Sequence, residues 1–366
     1  MRRASLVSWM SVLGAVGACA QGCSSSSEGA AAIAPPDAGH EAGHEAGADA
    51  GWAISLVPLP GGAPGIGFDD LRYAPVLGQI LAPGGRTGNL DLVDPGTLAV
   101  KAIGGFSTSA TFTAGAHDSG CTSADEGVGV LFAIDHETQS LRVVDSSTKA
   151  VVSSTALAGS PDYVRWVAAT GEAWVTEPGT GIEVFTVPAN GPPVHAATIA
   201  VAGGPEGIVV DATRGRVYTD SFAGQTFAID IAQRAIVETW SNGCSGLSLG
   251  VAVDPARGFV FVACQAGSVV VLDAAHGGTM LGMVAQGSGL DILDYSPSLH
   301  HLYAPSKSGT LGIVAISAAG APTVLGAAPV PSAVQGVTTD GHGAVWIGDP
   351  AKGRILRVED RYPASP

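Results

Sequence analysis

From residue 52 onward the chain alternates short apolar runs with breaks rich in Gly, Pro and Asp, and one arrangement keeps returning. Glu206-Gly207-Ile208-Val209-Val210-Asp211, followed by Arg216-Val217-Tyr218, aligns with Gly250-Val251-Ala252-Val253-Asp254 followed by Phe259-Val260-Phe261. Each then passes through a turn into an apolar run ending in Asp, Phe227-Ala228-Ile229-Asp230 in one and Val270-Val271-Leu272-Asp273 in the other. An aromatic residue marks the same place in six units, at Phe132, Trp174, Tyr218, Phe261, Tyr303 and Trp346, with steps of 42, 44, 43, 42 and 43 residues. The runs are short and β-branched and no segment keeps a helical period, so each unit reads as a set of strands.

A repeat of this length matches one four-stranded propeller blade. A lone blade would leave both apolar faces in water, so the units must stack, and a closed ring leaves none unpartnered. A seventh unit precedes the six: Leu71-Arg72-Tyr73, Gly78-Gln79-Ile80-Leu81 and Leu90-Asp91-Leu92-Val93-Asp94. The last unit ends after Arg354-Ile355-Leu356-Arg357-Val358 without an outer strand, whereas Ala53-Ile54-Ser55-Leu56-Val57 is a strand without a unit. The sequence therefore predicts an all-β, seven-bladed propeller of four-stranded antiparallel blades over residues 52–366, closed by that N-terminal strand. Rings of six or eight blades are the alternatives.

The first 51 residues have a different character. Arg2 and Arg3 precede a mostly apolar stretch ending in Val16-Gly17-Ala18-Cys19, which reads as a signal peptide over 1–18 and resembles a bacterial lipobox with Cys19 as the lipidated residue. Cys23, after Ala20-Gln21-Gly22, is a second candidate. Neither Cys is followed by Asp, and by resemblance to Gram-negative lipoproteins this implies an outer-membrane anchor facing the periplasm or the cell surface. The stretch is too short to span a bilayer, so contact with the membrane is expected only through the lipid. Residues 19–51, with a serine run and two His-Glu-Ala-Gly copies, lack core-forming residues and read as a disordered tether.

Composition narrows the function classes. Net charge is −15, and no Lys/Arg cluster follows Arg3, so the electrostatic footprint of a nucleic-acid binder is missing. No Gly-x-Ser-x-Gly elbow, zinc-binding helix motif or phosphate-binding loop occurs.

At Pro205-Glu206-Gly207-Ile208-Val209-Val210-Asp211 with Val217-Tyr218-Thr219-Asp220, the chain resembles the YVTN-repeat (YncE-like) propellers. Trp174-Val175-Thr176-Glu177 and Trp346-Ile347-Gly348-Asp349 are further versions of the motif. The resemblance covers residues 52–362 and implies the fold; it does not choose between a binding scaffold and an enzyme.

In a blade, the loop entering the innermost strand and the loop joining the second and third strands share a rim. Cys244 falls in the first kind of loop and Cys264 ends a second strand of the same unit, so a disulfide between them is expected in an exported protein. Cys121 is expected to be an inert, half-buried thiol. The same rim should collect Asp69, Asp70, Asp125, Glu126, Asp162, Glu206 and Asp291, with Gln335 in the place of Glu206 in the last unit. Convergent carboxylates could hold Ca²⁺ or another divalent cation, with Asp162, Glu206 and Asp291 as ligands, or could equally close turns at strand starts. His117 lies in a long insertion, about 107–126, and with Arg165 completes the expected ligand-contacting set; His136 is also within reach of the rim. His276, His300, His301 and His342 are expected on the opposite rim as solvent or packing residues. The expected function is a monomeric, non-catalytic scaffold that needs no cofactor and binds an envelope protein or a small molecule. A metal-dependent lactonase or lyase acting at the same rim is the alternative.

Overall fold

The computed structural model describes residues 51–366; the expected signal peptide, Cys19, Cys23 and almost all of the tether lie outside the described residues. Seven four-stranded antiparallel sheets follow one another along the chain. They occupy 72–103, 121–156, 164–199, 208–241, 248–285, 294–329 and 335–359, and are called blades 1 to 7. Blade 7 takes its fourth strand from the start of the domain: Ile54–Pro58 pairs antiparallel with Arg354–Glu359, Ile54 opposite Val358 and Pro58 opposite Arg354. The first strand of each blade touches the first strands of both neighbours, and the cycle returns from blade 7 to blade 1. This is the all-β, seven-bladed propeller that the repeat predicts.

The recurring aromatic is the key between blades. Phe132, Trp174, Tyr218, Phe261, Tyr303 and Trp346 all sit on second strands and are buried. Phe132 packs against Val164 and Val175 of blade 3, Tyr218 against Val251 and Val260 of blade 5, and Trp346 against Leu71 and Ile80 of blade 1. In blade 1 the marked place is taken by Ile80, paired with Tyr73 as Trp174 is paired with Arg165. Each such ring removes large apolar area from water on two blades at once, which is why the position repeats.

The Asp that closes the third strand of blades 1, 2, 4 and 5 also has a local cause. Asp94 and Asp145 accept the backbone N–H groups two and three residues ahead, at 2.7–3.0 Å, while Asp230 accepts only the Gln233 N–H and Asp273 only the Ala275 N–H, each at 2.9 Å. Such turns start the outer strand in the correct direction. The insertion between blades 1 and 2 is shorter than expected. It ends at Gly120, because Cys121–Glu126 is already the first strand of blade 2.

Cys244 and Cys264 form the expected disulfide, with Cα atoms 5.3 Å apart, and Cys264 is the last residue of its strand. Cys121 is fully rather than half buried, and burial together with the nearby Asp135 and Asp91 pushes its thiol pKa well up, as suits an unreactive sulfur. The bridge closes a 20-residue loop across the rim of blade 5. Replacing both Cys244 and Cys264 by Ser is expected to lower stability by about 3 kcal/mol in the chain-entropy picture. Denaturant unfolding of the double variant measures this, and a loss below about 1 kcal/mol would mean the loop is held by its packing alone.

Candidate functional site

Because every first strand runs in the same direction along the ring axis, the residues just before them meet at one mouth. Asp69 and Asp70 precede Arg72–Ala74, Asp162 precedes Val164–Val167, Glu206 precedes Ile208–Asp211, and Asp291 precedes Asp294–Ser296. Of these, Asp69, Asp162, Glu206 and Asp291 line one cavity of about 410 Å³, together with His117, His136 and Lys307. Gln335 opens the first strand of blade 7 and donates its side-chain N–H to Asp291 Oδ2 at 3.3 Å. Four carboxyl groups and three candidate cations therefore share one opening.

His117 reaches the mouth through a close backbone approach. The insertion is pinned at its start, where Ser107 donates N–H to Asp135 at 2.9 Å and Ser109 donates to the Arg86 carbonyl at 2.9 Å. It then crosses Gly67, where a Cβ would lie 1.9 Å from the Ala116 carbonyl oxygen, so only glycine fits there. One residue on, His117 Nδ1 stands 3.5 Å from Asp69 Oδ1, which also accepts the Tyr163 hydroxyl at 3.2 Å.

The electrostatics follow from burial and crowding. Burial disfavours the Asp69 anion, but the charge of His117 and hydrogen bonds from His117, Asp162 and Tyr163 hold its pKa below the usual carboxylate range. His117 is raised in return to about 9, chiefly by the charge of Asp69. Asp162 moves the other way: burial, then the neighbouring charges of Asp69 and Glu206, push it well up. Glu206 is raised to about 8 by burial and by Asp69 and Asp291. Asp291 is ion-paired with Lys307 at 2.8 Å. The mouth thus holds two ion pairs, Asp69 with His117 and Asp291 with Lys307, beside two carboxyls, Asp162 and Glu206, whose pKa values are pushed up because more carboxylates crowd there than the local cations can balance.

Other candidates lie elsewhere. Asp125 and Glu126 end their strand instead of preceding it, which carries them away from the mouth. Asp125 accepts Trp166 N–H at 2.7 Å and Arg72 Nε–H at 3.2 Å, and Glu126 accepts Val76 and Leu77 N–H at 2.9 Å each. Asp70 is fully engaged: it accepts Ser123 Oγ–H at 2.6 Å and both terminal nitrogens of Arg165 at 2.7 and 3.1 Å. Arg165 is correspondingly buried. It faces a second, deeper cavity of about 210 Å³ on the channel, lined also by Arg72, Tyr163 and Asp294. Trp166 stacks on Phe132 at 5.2 Å between ring centres.

Sequence reasoning missed two arrangements. Lys307, which follows the second strand of blade 6, balances Asp291, and a lone lysine after a strand carries no sequence signal. Of the two roles expected for His301, solvent or packing, the structure shows packing, but with a polar network of which the sequence carries no sign. His301 is completely buried, with Nδ1 2.7 Å from Asp360 Oδ2 and Nε2 3.0 Å from Ser365 Oγ, while Tyr303 donates to the same Asp360 oxygen at 2.8 Å. This network ties the C-terminal tail to blade 6.

The comparisons with known proteins bear on the fold. No family model matches the chain, and no curated protein matches it. Similar solved structures include a chain of a mitotic checkpoint complex, with TM-score 0.70 at 13% identity over 90% of this chain and 97% of that one. The β-propeller domain of Cps50 (Swd1) from Myceliophteria thermophila gives 0.66 at 12% over 80% and 97%. Hydrazine synthase of Kuenenia stuttgartiensis gives 0.65 at 12% over 81% and 96%. They share its architecture. At such identities the likeness extends to the fold alone.

The Asp70–Arg165 pair generates a stability prediction. Arg165→Met leaves a buried carboxylate without its cation and is expected to cost about 3–5 kcal/mol in urea unfolding, whereas Asp70→Asn combined with Arg165→Met should recover most of the loss. A neutral single variant would contradict the assigned pairing.

Proposed function

We propose that the chain is an exported, lipid-anchored envelope protein of the YVTN-like type, whose propeller is a non-catalytic scaffold binding a positively charged ligand group at the mouth. The observation that carries the reading is the convergence of Asp69, Asp162, Glu206 and Asp291 on one cavity of about 410 Å³. Their mutual repulsion is relieved by protons in the free protein, and an incoming cation could take the protons' place. The cavity has room for an amine or guanidinium group of a small molecule or of an envelope protein's side chain. The location rests on Arg2-Arg3, the apolar leader and Val16-Gly17-Ala18-Cys19. A disulfide between Cys244 and Cys264 is compatible with an oxidising compartment.

Two experiments test this reading. In cells fed radiolabelled palmitate, Cys19→Ser should lose the label and leave the membrane fraction; label retained there but lost in Cys23→Ser would move the anchor to Cys23. Label retained in both single variants and in their combination would overturn the anchor. For the mouth, putrescine and arginine methyl ester are titrated in EDTA-containing buffer. Saturable binding weakened at least tenfold by Glu206→Gln combined with Asp291→Asn is expected, about 1.4 kcal/mol or more. Neither amine binding would sink the organic-cation form of the proposal. Turnover of a lactone by the metal-loaded protein would instead favour the metal-dependent lactonase or lyase.

A further inference from the structure

Two carboxyl groups in the mouth face each other, and only a proton on one of them could bond the pair. Asp69 is 3% exposed, and its Oδ2 is buried with no N–H or hydroxyl group in reach. What stands beside Asp69 is the carboxyl of Asp162, another acceptor. Two carboxylates cannot share a water-poor place as bare anions, so either a proton or a cation must lie between them. His117 adds a nitrogen donor at the same point: one ligand atom from each of Asp69, His117 and Asp162 lies within 4.8 Å of the other two.

We propose that Asp69, His117 and Asp162 hold one divalent transition-metal ion of the zinc or manganese kind, with Glu206 beside it and the outward positions open to water or ligand. The inference rests on the reading of the mouth as a cation site and names the cation. Metal bonds of about 2.0–2.2 Å put adjacent donors of one ion roughly 3.0–3.5 Å apart. The 3.5 Å between His117 Nδ1 and Asp69 Oδ1 fits that spacing. An imidazole with two carboxylates suits zinc or manganese better than Ca²⁺, which prefers six to eight oxygens. Asp291, a ligand in the set expected from the sequence, is engaged by Lys307 at 2.8 Å and Gln335 at 3.3 Å, and so supplies outer negative charge. The three ligands come from the segment before blade 1, the insertion before blade 2 and the loop into blade 3, so an ion would clamp three parts of the rim together.

The test uses the full chain, stripped with chelator and dialysed, and titrated calorimetrically with ZnCl₂, MnCl₂ or CaCl₂ at pH 7.5. One zinc or manganese ion per chain, bound at least tenfold tighter than calcium, is expected. Asp69→Asn should weaken it at least tenfold, and His117→Gln should remove the preference over calcium, with the far-UV circular dichroism of both metal-free variants matching that of the native chain. Binding untouched by both substitutions would place the ion elsewhere and would overturn the proposal. So would the absence of stoichiometric binding; if putrescine or arginine methyl ester still bound in EDTA, the cation-site reading of the mouth would survive without its metal.

Discussion

A four-stranded blade with two apolar faces cannot stand in water alone, and everything else in this protein depends on how that is solved. Buried aromatics such as Trp174 and Trp346 sit where one blade meets the next, so each blade is stable only between two neighbours. Seven of them close when Ile54–Pro58 pairs with Arg354–Glu359. That pairing covers the open edge of the last blade and ties the start of the domain to its end. Trp52 reinforces it by packing on Arg361, 4.2 Å from guanidinium to ring centre. The His301–Asp360 pair, buried with Tyr303 and bonded to Ser365, fixes the tail that follows.

Closure has an electrostatic consequence. A ring of parallel first strands brings the residues ahead of them to a single mouth, and residues with no contact along the sequence become neighbours. Asp69, Asp162, Glu206 and Asp291 are spread over 223 positions, yet they line one cavity. His117 and Lys307 neutralise only two of them closely, and burial weakens the screening that water would otherwise provide. On the proposed reading, a site held in this way is poised for a cation. The deeper channel is different: there Asp70 is closed off by the terminal nitrogens of Arg165 and by Ser123, while Arg165 Nε is buried without a partner.

Most of the architecture was legible in the chain because each blade repeats the same physical solution. The aromatic at a 42–44-residue step, the Asp that turns into the outer strand, and the spare strand at Ala53–Val57 each had one structural meaning. The Cys244–Cys264 bridge was legible because both residues fall on loops of a known rim. Asp125 and Glu126 were misplaced because the insertion hides where the first strand of blade 2 begins, and that strand starts about six residues earlier than expected, which moves a side chain from one rim toward the other. The contact between His117 and Asp69 depends on the path of the insertion over Gly67, which no repeat encodes. Arg165 reads as a ligand contact from its place after Asp162; its burial against Asp70 comes from the curvature that brings blade 1 to blade 3.

The crowding of carboxyls at the mouth is tested most directly by following the Glu206 side-chain carbon through a pH titration by NMR in the metal-free protein. Burial and the charges of Asp69 and Asp291 should raise its pKa to about 8, so the resonance should move between pH 7 and 9. Asp69→Asn removes one of those charges and should bring the midpoint down. A midpoint near 4 in the native protein would mean that the carboxyls neither crowd nor leave water, and the mouth would not be a cation site.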